Sequence, residues 1–245
     1  MYIKEIQAKA ILSKSKIFPY VINPYVGCQH GCSYCYARFM KRFTGHREPW
    51  GQFVDVKINA VELLKKEVVK KKPGRVWVSG VCDPYQPLEK KYQLTRACLQ
   101  ILAEQQWPVS VLTRSPLVLR DLDVLKAGDN FEVGMSIGTV DESIRYRFEP
   151  SAPPISARLQ ALSELHQAGI RTYVMLAPIL PGCEELPALL VGKVDFVIID
   201  RMNYHHADWV YRKYRLEEKN TDGYFDMVIE SLTLEFNRLG VECQV

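Results

Sequence analysis

Three cysteines fall within eight residues, in the run Gly27-Cys28-Gln29-His30-Gly31-Cys32-Ser33-Tyr34-Cys35-Tyr36. Thiolates are soft ligands that select iron–sulfur clusters, zinc or copper(I). Spacings of four and three positions let a single loop wrap one corner of a cluster and place three thiolates on three irons. A four-iron cubane takes four ligands, and no fourth cysteine lies nearby, so one iron would stay open for chemistry. Gly27 and Gly31 allow the loop to turn tightly. Zinc is the alternative, because Cys28, Cys32, Cys35 and His30 also make up a Cys3His set. Against it, His30 lies inside the loop, whereas structural zinc usually draws two ligand pairs from separate segments.

The remaining cysteines stand at 82, 98, 183 and 243. A secreted disulfide framework spreads its cysteines more evenly, so reduced thiols in a cytoplasmic protein are expected. Cys98 lies on an apolar helical pattern and reads as core. Cys243 reads as incidental. Cys82 and Cys183 lie at strand ends, where a thiol can line a site. Asp83 and Glu89 flank two prolines and either orient a bound molecule or cap the next helix. His205 and His206, with Asp208 and Trp209, resemble a metal cluster, but adjacent residues diverge on any regular element, which argues against a shared ion. Arg201 follows a strand and is placed to enter the site. Tyr211, Arg212, Lys213, Tyr214 and Arg215 mix cations with rings, joined by Tyr204 and Trp209, and such a mixture suits nucleic-acid backbones and stacked bases.

The 245 residues that carry these groups suit one α/β domain, and with 47% hydrophobic and 24% charged residues the chain can bury a sizeable core. A net charge of +4 permits a phosphate-rich partner without demanding one. No apolar run approaches the length of a membrane span, and Met1 to Lys16 contains no continuous apolar stretch of a secretory signal, so a cytoplasmic location and no membrane partner are expected.

Strand and helix patterns alternate. Strands are expected at Val21–Gly27, Arg75–Val81, Val109–Thr113, Phe131–Ile137, Ile170–Ala177 and Val194–Asp200. Helices are expected at Tyr36–Phe43, Ile58–Lys71, Thr95–Gln106 (with Thr95 as cap), Leu117–Lys126, Ile155–Ala168 before Gly169, Glu184–Leu190 and Phe225–Leu239. Short, nearly unbroken apolar strands imply a parallel sheet covered by helices. Six such units predict a partial (β/α)6 TIM-type barrel, with a doubly wound open sheet as the alternative. In either case the site belongs at the C-terminal strand ends, where the cysteine loop, Cys82-Asp83-Pro84-Tyr85, Thr113-Arg114-Ser115, Ser136, Ala177-Pro178 and Asp200-Arg201 all fall.

The cysteine spacing, with aromatic Tyr34 before the third cysteine, resembles the signature of the radical S-adenosylmethionine superfamily. Cys35-Tyr36-Ala37-Arg38, Asp83-Pro84-Tyr85-Gln86-Pro87-Leu88-Glu89, Leu112-Thr113-Arg114-Ser115, Glu149-Pro150-Ser151-Ala152-Pro153 and Ala177-Pro178-Ile179-Leu180-Pro181-Gly182 are similar to its spore-photolyase-like branch, over roughly residues 20–200, leaving 201–245 as a C-terminal extension of the single domain. The resemblance implies a 4Fe-4S cluster on Cys28, Cys32 and Cys35. It implies S-adenosylmethionine on the open iron, cleaved by one electron to a 5′-deoxyadenosyl radical that takes hydrogen from a substrate. It also implies a reductant such as flavodoxin or ferredoxin, and a substrate that is a nucleic acid, a nucleotide, a peptide or a small metabolite. Residue by residue, Tyr34 and Ala177 match positions whose backbone faces adenine, and Ser136 a serine on the ribose or methionine part. Arg114 stands where the family usually has a cofactor-contacting Lys, and Asp83 is grouped with these contacts. Tyr36 matches a tyrosine that relays a hydrogen atom. A hydrogen-donor thiol of the branch, anchored on Asp83, would fall at Gly80; Cys82 is two positions away and returns to the same side of a strand if alternation holds.

Overall fold

In the computed structural model, which describes residues 1–245, the apolar strands pair in parallel and in chain order. Chain order runs β1 (Tyr2–Ile6), β2 (Leu12–Lys14), β3 (Tyr20–Ile22), β4 (Tyr25–Val26), α1 (Lys41–Thr44), β5 (Phe53–Lys57), α2 (Ala60–Val68) and β6 (Val76–Val78). It continues with α3 (Glu89–Tyr92), α4 (Leu94–Glu104), β7 (Val109–Thr113), α5 (Leu122–Ala127), β8 (Phe131–Ser136), α6 (Glu142–Phe148) and α7 (Ile155–Gln167). The last elements are β9 (Arg171–Leu176), α8 (Leu186–Leu190), β10 (Phe196–Ile199), α9 (Asp208–Lys213), α10 (Asp222–Arg238) and β11 (Glu242–Gln244).

The main sheet has the order β11-β10-β9-β8-β7-β6-β3-β2. From β3 to β10 every pair is parallel, as in Val78↔Val111↔Val133, which is the expected arc of six β/α units. The arc does not close: antiparallel β2 flanks one edge, and β11 extends the other as a further parallel strand. A partial (β/α)6 barrel is therefore the architecture. The inner strands are almost wholly buried, with Val109, Val111, Val133, Val174 and Val197 all at 0% exposure, because helices cover them and leave the opposite ends free for chemistry.

Several boundaries differ from the sequence expectation for physical reasons. The first strand breaks at Asn23-Pro24 into β3 and β4, which join different sheets; β4 pairs with β5, and β5 with β1, in a separate three-stranded sheet. The second strand ends at Val78, not Val81, because Gly80 and Val81 donate to the Asn23 side-chain carbonyl (2.8 and 3.0 Å) instead of to a ladder. Thr95 is not the cap of α4: its hydroxyl donates to the Pro84 carbonyl at 2.7 Å, and Glu89 accepts from the Thr95 and Arg96 amides at 3.1 and 3.2 Å. A 3-10 turn at Pro116–Asp121 precedes α5, and another at Tyr36–Met40 precedes α1. The sequence patterns missed β1, β2, β5, β11, α3, α6 and α9, which are short or lie outside the main arc.

Candidate cluster and cofactor site

β4 delivers the chain into the cysteine loop, and glycines fit the loop against its neighbours. Gly27 has φ +91°, and a Cβ there would lie 2.4 Å from the Phe53 carbonyl oxygen. Gly31 (φ +60°) abuts Gly51 (φ +93°) so closely that a Cβ on Gly51 would be 2.8 Å from the Gly31 Cα. Gln86 holds the loop from below: its Oε1 accepts from the Gln29 amide at 3.0 Å and its Nε2 donates to the Gly27 carbonyl at 3.2 Å. Gln29 in turn accepts from the Leu88 amide at 2.6 Å. The loop therefore rests on the segment after β6 through reciprocal bonds between two glutamines and the backbone.

One cavity of about 480 Å³ lies at the C-terminal ends of the arc. Its wall contains Cys28, Cys32 and Cys35, and also Tyr34, Tyr36, Cys82, Asp83, Arg114, Ser136 and Ala177, so the structure brings the three candidate cluster ligands together with the residues matched to cofactor contacts and hydrogen relay. Gly80 lines it too, and so does Arg201 after β10. Trp50 and Ser79 were not legible as site residues from the sequence. Trp50 arrives from a loop with no motif; Ser79 lies inside what reads as a strand.

Beneath the cavity the ionisable groups form two buried assemblies. One Asp83 oxygen accepts from Thr113 Oγ1 (2.6 Å) and the Tyr85 amide (2.9 Å). The other accepts from the Arg114 amide (2.8 Å), and His30 Nε2 lies 3.2 Å from it. Burial pushes the Asp83 carboxyl up, but His30, Thr113 and the Arg114 amide outweigh it and hold it at about 2. The Asp83 amide donates to Cys28 Sγ at 3.4 Å. Its carboxylate is thus engaged by the protein, and its amide faces the thiol.

The second assembly explains the Glu149–Pro153 motif. Glu149 accepts from Arg114 Nε (3.1 Å) and from the Tyr34 hydroxyl, which itself accepts from Arg114 Nη2 at 2.9 Å. Arg158 Nη2 lies 2.6 Å from Glu149 Oε2, close enough for an ion pair though not aligned as a hydrogen bond. The rest of the Arg158 fork reaches the Pro153 carbonyl (2.9 Å) and the Ser136 carbonyl (3.0 Å), at the end of β8. Burial pushes Glu149 up, but Arg158 and Arg114 overcome it and hold the carboxyl at about 2. With Nε and one Nη2 proton engaged, Arg114 keeps both Nη1 protons and the second Nη2 proton for a bound molecule.

The donor set fits an iron–sulfur cluster. Cys28 and Cys32 are buried, and Cys35 is partly so. Burial pushes all three thiols up, Cys32 to about 12, so neutral thiols are stable there and thiolates need a metal to compensate them. The Asp83 amide aimed at Cys28 and a buried Trp50 indole N–H without a partner are donors of the kind that stabilise cluster sulfur. His30 does not complete a zinc site: its Nδ1 sits 3.3 Å from the Ser151 carbonyl and its Nε2 faces Asp83. No three His, Cys, Asp or Glu side chains converge as on a single ion. A cubane does not need such convergence, because each thiolate takes a different iron.

Other groups lie apart. Cys98 and Cys183 are at 0% exposure in the main core, and Cys243 lies in β11. His205 is exposed and faces Asp208, while His206 stacks on Tyr204, so the two imidazoles diverge as expected. The 211–215 segment is not an open aromatic face. Tyr211 is buried against Phe148 (4.9 Å), and Arg147 covers the Tyr214 ring (4.6 Å). Glu89 is wholly buried just before α4, in the capping role rather than the binding one.

Residues 22–184 match the family described as the Radical SAM superfamily. An uncharacterized protein of Methanocaldococcus jannaschii is 39% identical over 188 residues, covering 76% of this chain and 71% of that protein. A radical SAM Nalpha-GlyT isomerase of Pseudomonas phage M6 is 26% identical over 162 residues, or 65% of this chain and 33% of that protein. Among solved structures, a spore photoproduct lyase complexed with dinucleoside spore photoproduct overlays with a TM-score of 0.71 across 99% of this chain and 82% of that one, at 17% identity, which is a likeness of fold. No helix is long and apolar enough to cross a membrane. The arc of parallel strands, the three-cysteine loop at its open end and the family match over residues 22–184 together place the chain in the radical SAM superfamily.

Proposed function

We propose that Cys28, Cys32 and Cys35 hold a 4Fe-4S cluster whose open iron takes S-adenosylmethionine in the 480 Å³ cavity. When bound and reduced, this pair supplies a 5′-deoxyadenosyl radical that abstracts hydrogen from a substrate. The observation that carries the reading is the convergence of all three cysteines with Tyr34, Arg114, Ser136 and Ala177 on one cavity wall. Arg114 Nη1 offers a charged donor to the methionine carboxylate, and the Glu149–Arg158 assembly holds the arginine in place. Ser136, whose hydroxyl makes no hydrogen bond inside the protein, is free to meet the ribose or methionine part. Asp83 positions the Cys28 loop and Arg114 rather than touching the cofactor. An external one-electron carrier such as flavodoxin or ferredoxin supplies the electron. Anaerobic reconstitution tests the reading: about four irons per chain and 5′-deoxyadenosine from dithionite-reduced protein are expected. Stoichiometric zinc without acid-labile sulfide would overturn it.

For the substrate, a nucleic acid or nucleotide is favoured over a peptide or small metabolite by the cavity rim. Tyr36 stacks on Tyr204 (6.3 Å) and on Phe39 (6.3 Å), Phe39 meets Phe43 (6.2 Å), and Tyr204 stacks on His206 (5.7 Å). This exposed row of rings starts in the cavity wall, and Arg38, Lys41, Arg42 and Arg47 lie close to Phe39 and Phe43 along the chain. Rings beside cations suit stacked bases and phosphates. Oligonucleotide binding that weakens steeply with salt is expected; binding indifferent to salt, or none, would favour the other substrate classes. Two roles are assigned at the substrate end. Tyr36, whose hydroxyl donates to the Gly80 carbonyl, is the hydrogen-relaying group. Cys82 is a lining group, because its thiol donates to the Tyr25 carbonyl at 3.4 Å and packs beside Tyr25 and Leu94.

A further inference from the structure

We infer that Trp50 donates its indole N–H to the Cys35 sulfur and thereby raises the reduction potential of the cluster. The inference rests on the reading that Cys35 is a cluster ligand. Trp50 Nε1 is buried, yet it has no hydrogen-bond partner in the protein. A buried N–H left unpaired loses its hydration without replacement, so such an orphan marks a missing acceptor. Trp50 and Cys35 share the cavity wall. The groups gathered around the Cys35 sulfur are the Ala37 amide, Arg114, Arg38 and the Trp50 N–H.

The indole is fixed in place rather than carried on a loose tip. Its ring meets Phe53 edge-on at 5.9 Å, and His46 stacks on that same phenylalanine at 4.1 Å. His46 Nε2 lies 2.9 Å from Asp55 Oδ1 on β5. The next residue after Trp50, Gly51, abuts Gly31 inside the cysteine loop, so the Trp50 loop and the cysteine loop interlock.

The chemistry follows from charge. On taking up one electron from an external reductant, the cluster gains a negative charge that spreads onto its sulfurs, and no atom is transferred. A hydrogen bond to a ligand sulfur stabilises that reduced form more than the oxidised one, which moves the potential upward. Trp50 is therefore a positioning and tuning residue, acting through Cys35.

The test is Trp50→Phe in the full chain, reconstituted anaerobically, with iron content measured and the cluster titrated by EPR against applied potential. Phenylalanine keeps an aromatic ring at this position and removes the N–H donor together with part of the ring volume. Iron content should be unchanged. The ratio of reduced to oxidised cluster at the wild-type midpoint should fall about tenfold, a shift of about 59 mV for one electron. Trp209→Phe, at an exposed ring, should leave the midpoint in place. Full iron with an unmoved midpoint in Trp50→Phe overturns this inference alone; wild-type protein without iron overturns the cluster reading with it. If the variant fails to load, wild-type protein grown with indole-15N tryptophan decides. Pulsed EPR of the reduced cluster should show coupling to one indole nitrogen and its exchangeable proton, and the lack of that coupling overturns the inference.

Discussion

Arg158 and Glu149 face each other 2.6 Å apart, with side chains at 1% and 2% exposure. A buried pair of this kind adds little net stability against apolar residues, but breaking it by removing one partner is costly. Here the pair also holds Arg114 and Tyr34, which connects the α7 side of the barrel to the cavity wall. Arg158→Met should therefore destabilise the fold by about 3–5 kcal/mol, because Glu149 keeps a buried charge with one guanidinium fewer. Urea unfolding checks this, and a loss under about 1 kcal/mol would contradict the role.

Acid should act through the same carboxylate. Glu149 is held at about 2 in the folded chain, below the roughly 4.3 of an unfolded glutamate. A depressed carboxyl contributes stability that is present above the unfolded value and is lost as pH falls from about 4.3 through about 2. The contribution is about 3 kcal/mol at neutral pH. Glu149→Gln should flatten the acid limb of a stability–pH curve in that window while lowering stability at neutral pH; an unchanged limb would mean that other carboxylates dominate.

Cluster loading should depend on the loop thiols alone. Cys28→Ala, Cys32→Ala and Cys35→Ala should each abolish stable four-iron loading, since three protein ligands are the fewest that leave one open iron. Cys98→Ala, at a core position, should load normally once folded. Iron and sulfide measured after anaerobic reconstitution distinguish these outcomes.

Cys82→Ala separates lining from hydrogen donation. Burial pushes this thiol up to about 12, so it stays protonated at neutral pH under either role. The bond to the Tyr25 carbonyl favours the lining role. The variant should lose about 1 kcal/mol of local packing, lower cofactor cleavage and product together, and recover with added S-adenosylmethionine. Normal 5′-deoxyadenosine formation with loss of correct product would instead make Cys82 the donor to the substrate radical.

Sequence alone determined the chemistry-bearing loop and the architecture. Cys28, Cys32 and Cys35 are local in the chain, so their spacing carries their meaning, and the short apolar runs of β7, β8, β9 and β10 are legible because each is buried by covering helices. The tertiary structure alone decided which distant groups meet. Glu149 reaches Tyr34 across 115 positions, and Gln29 reaches Gln86 across 57. Trp50 comes against the cysteine loop because two glycines let separate loops touch. Asn23 ended β6 early by offering a side-chain acceptor where a sheet partner was expected, and Glu89 capped α4 from the turn before its start. Periodicity reports which face of an element is apolar. It carries no information about a single polar side chain whose partner is set by the packing of two remote segments.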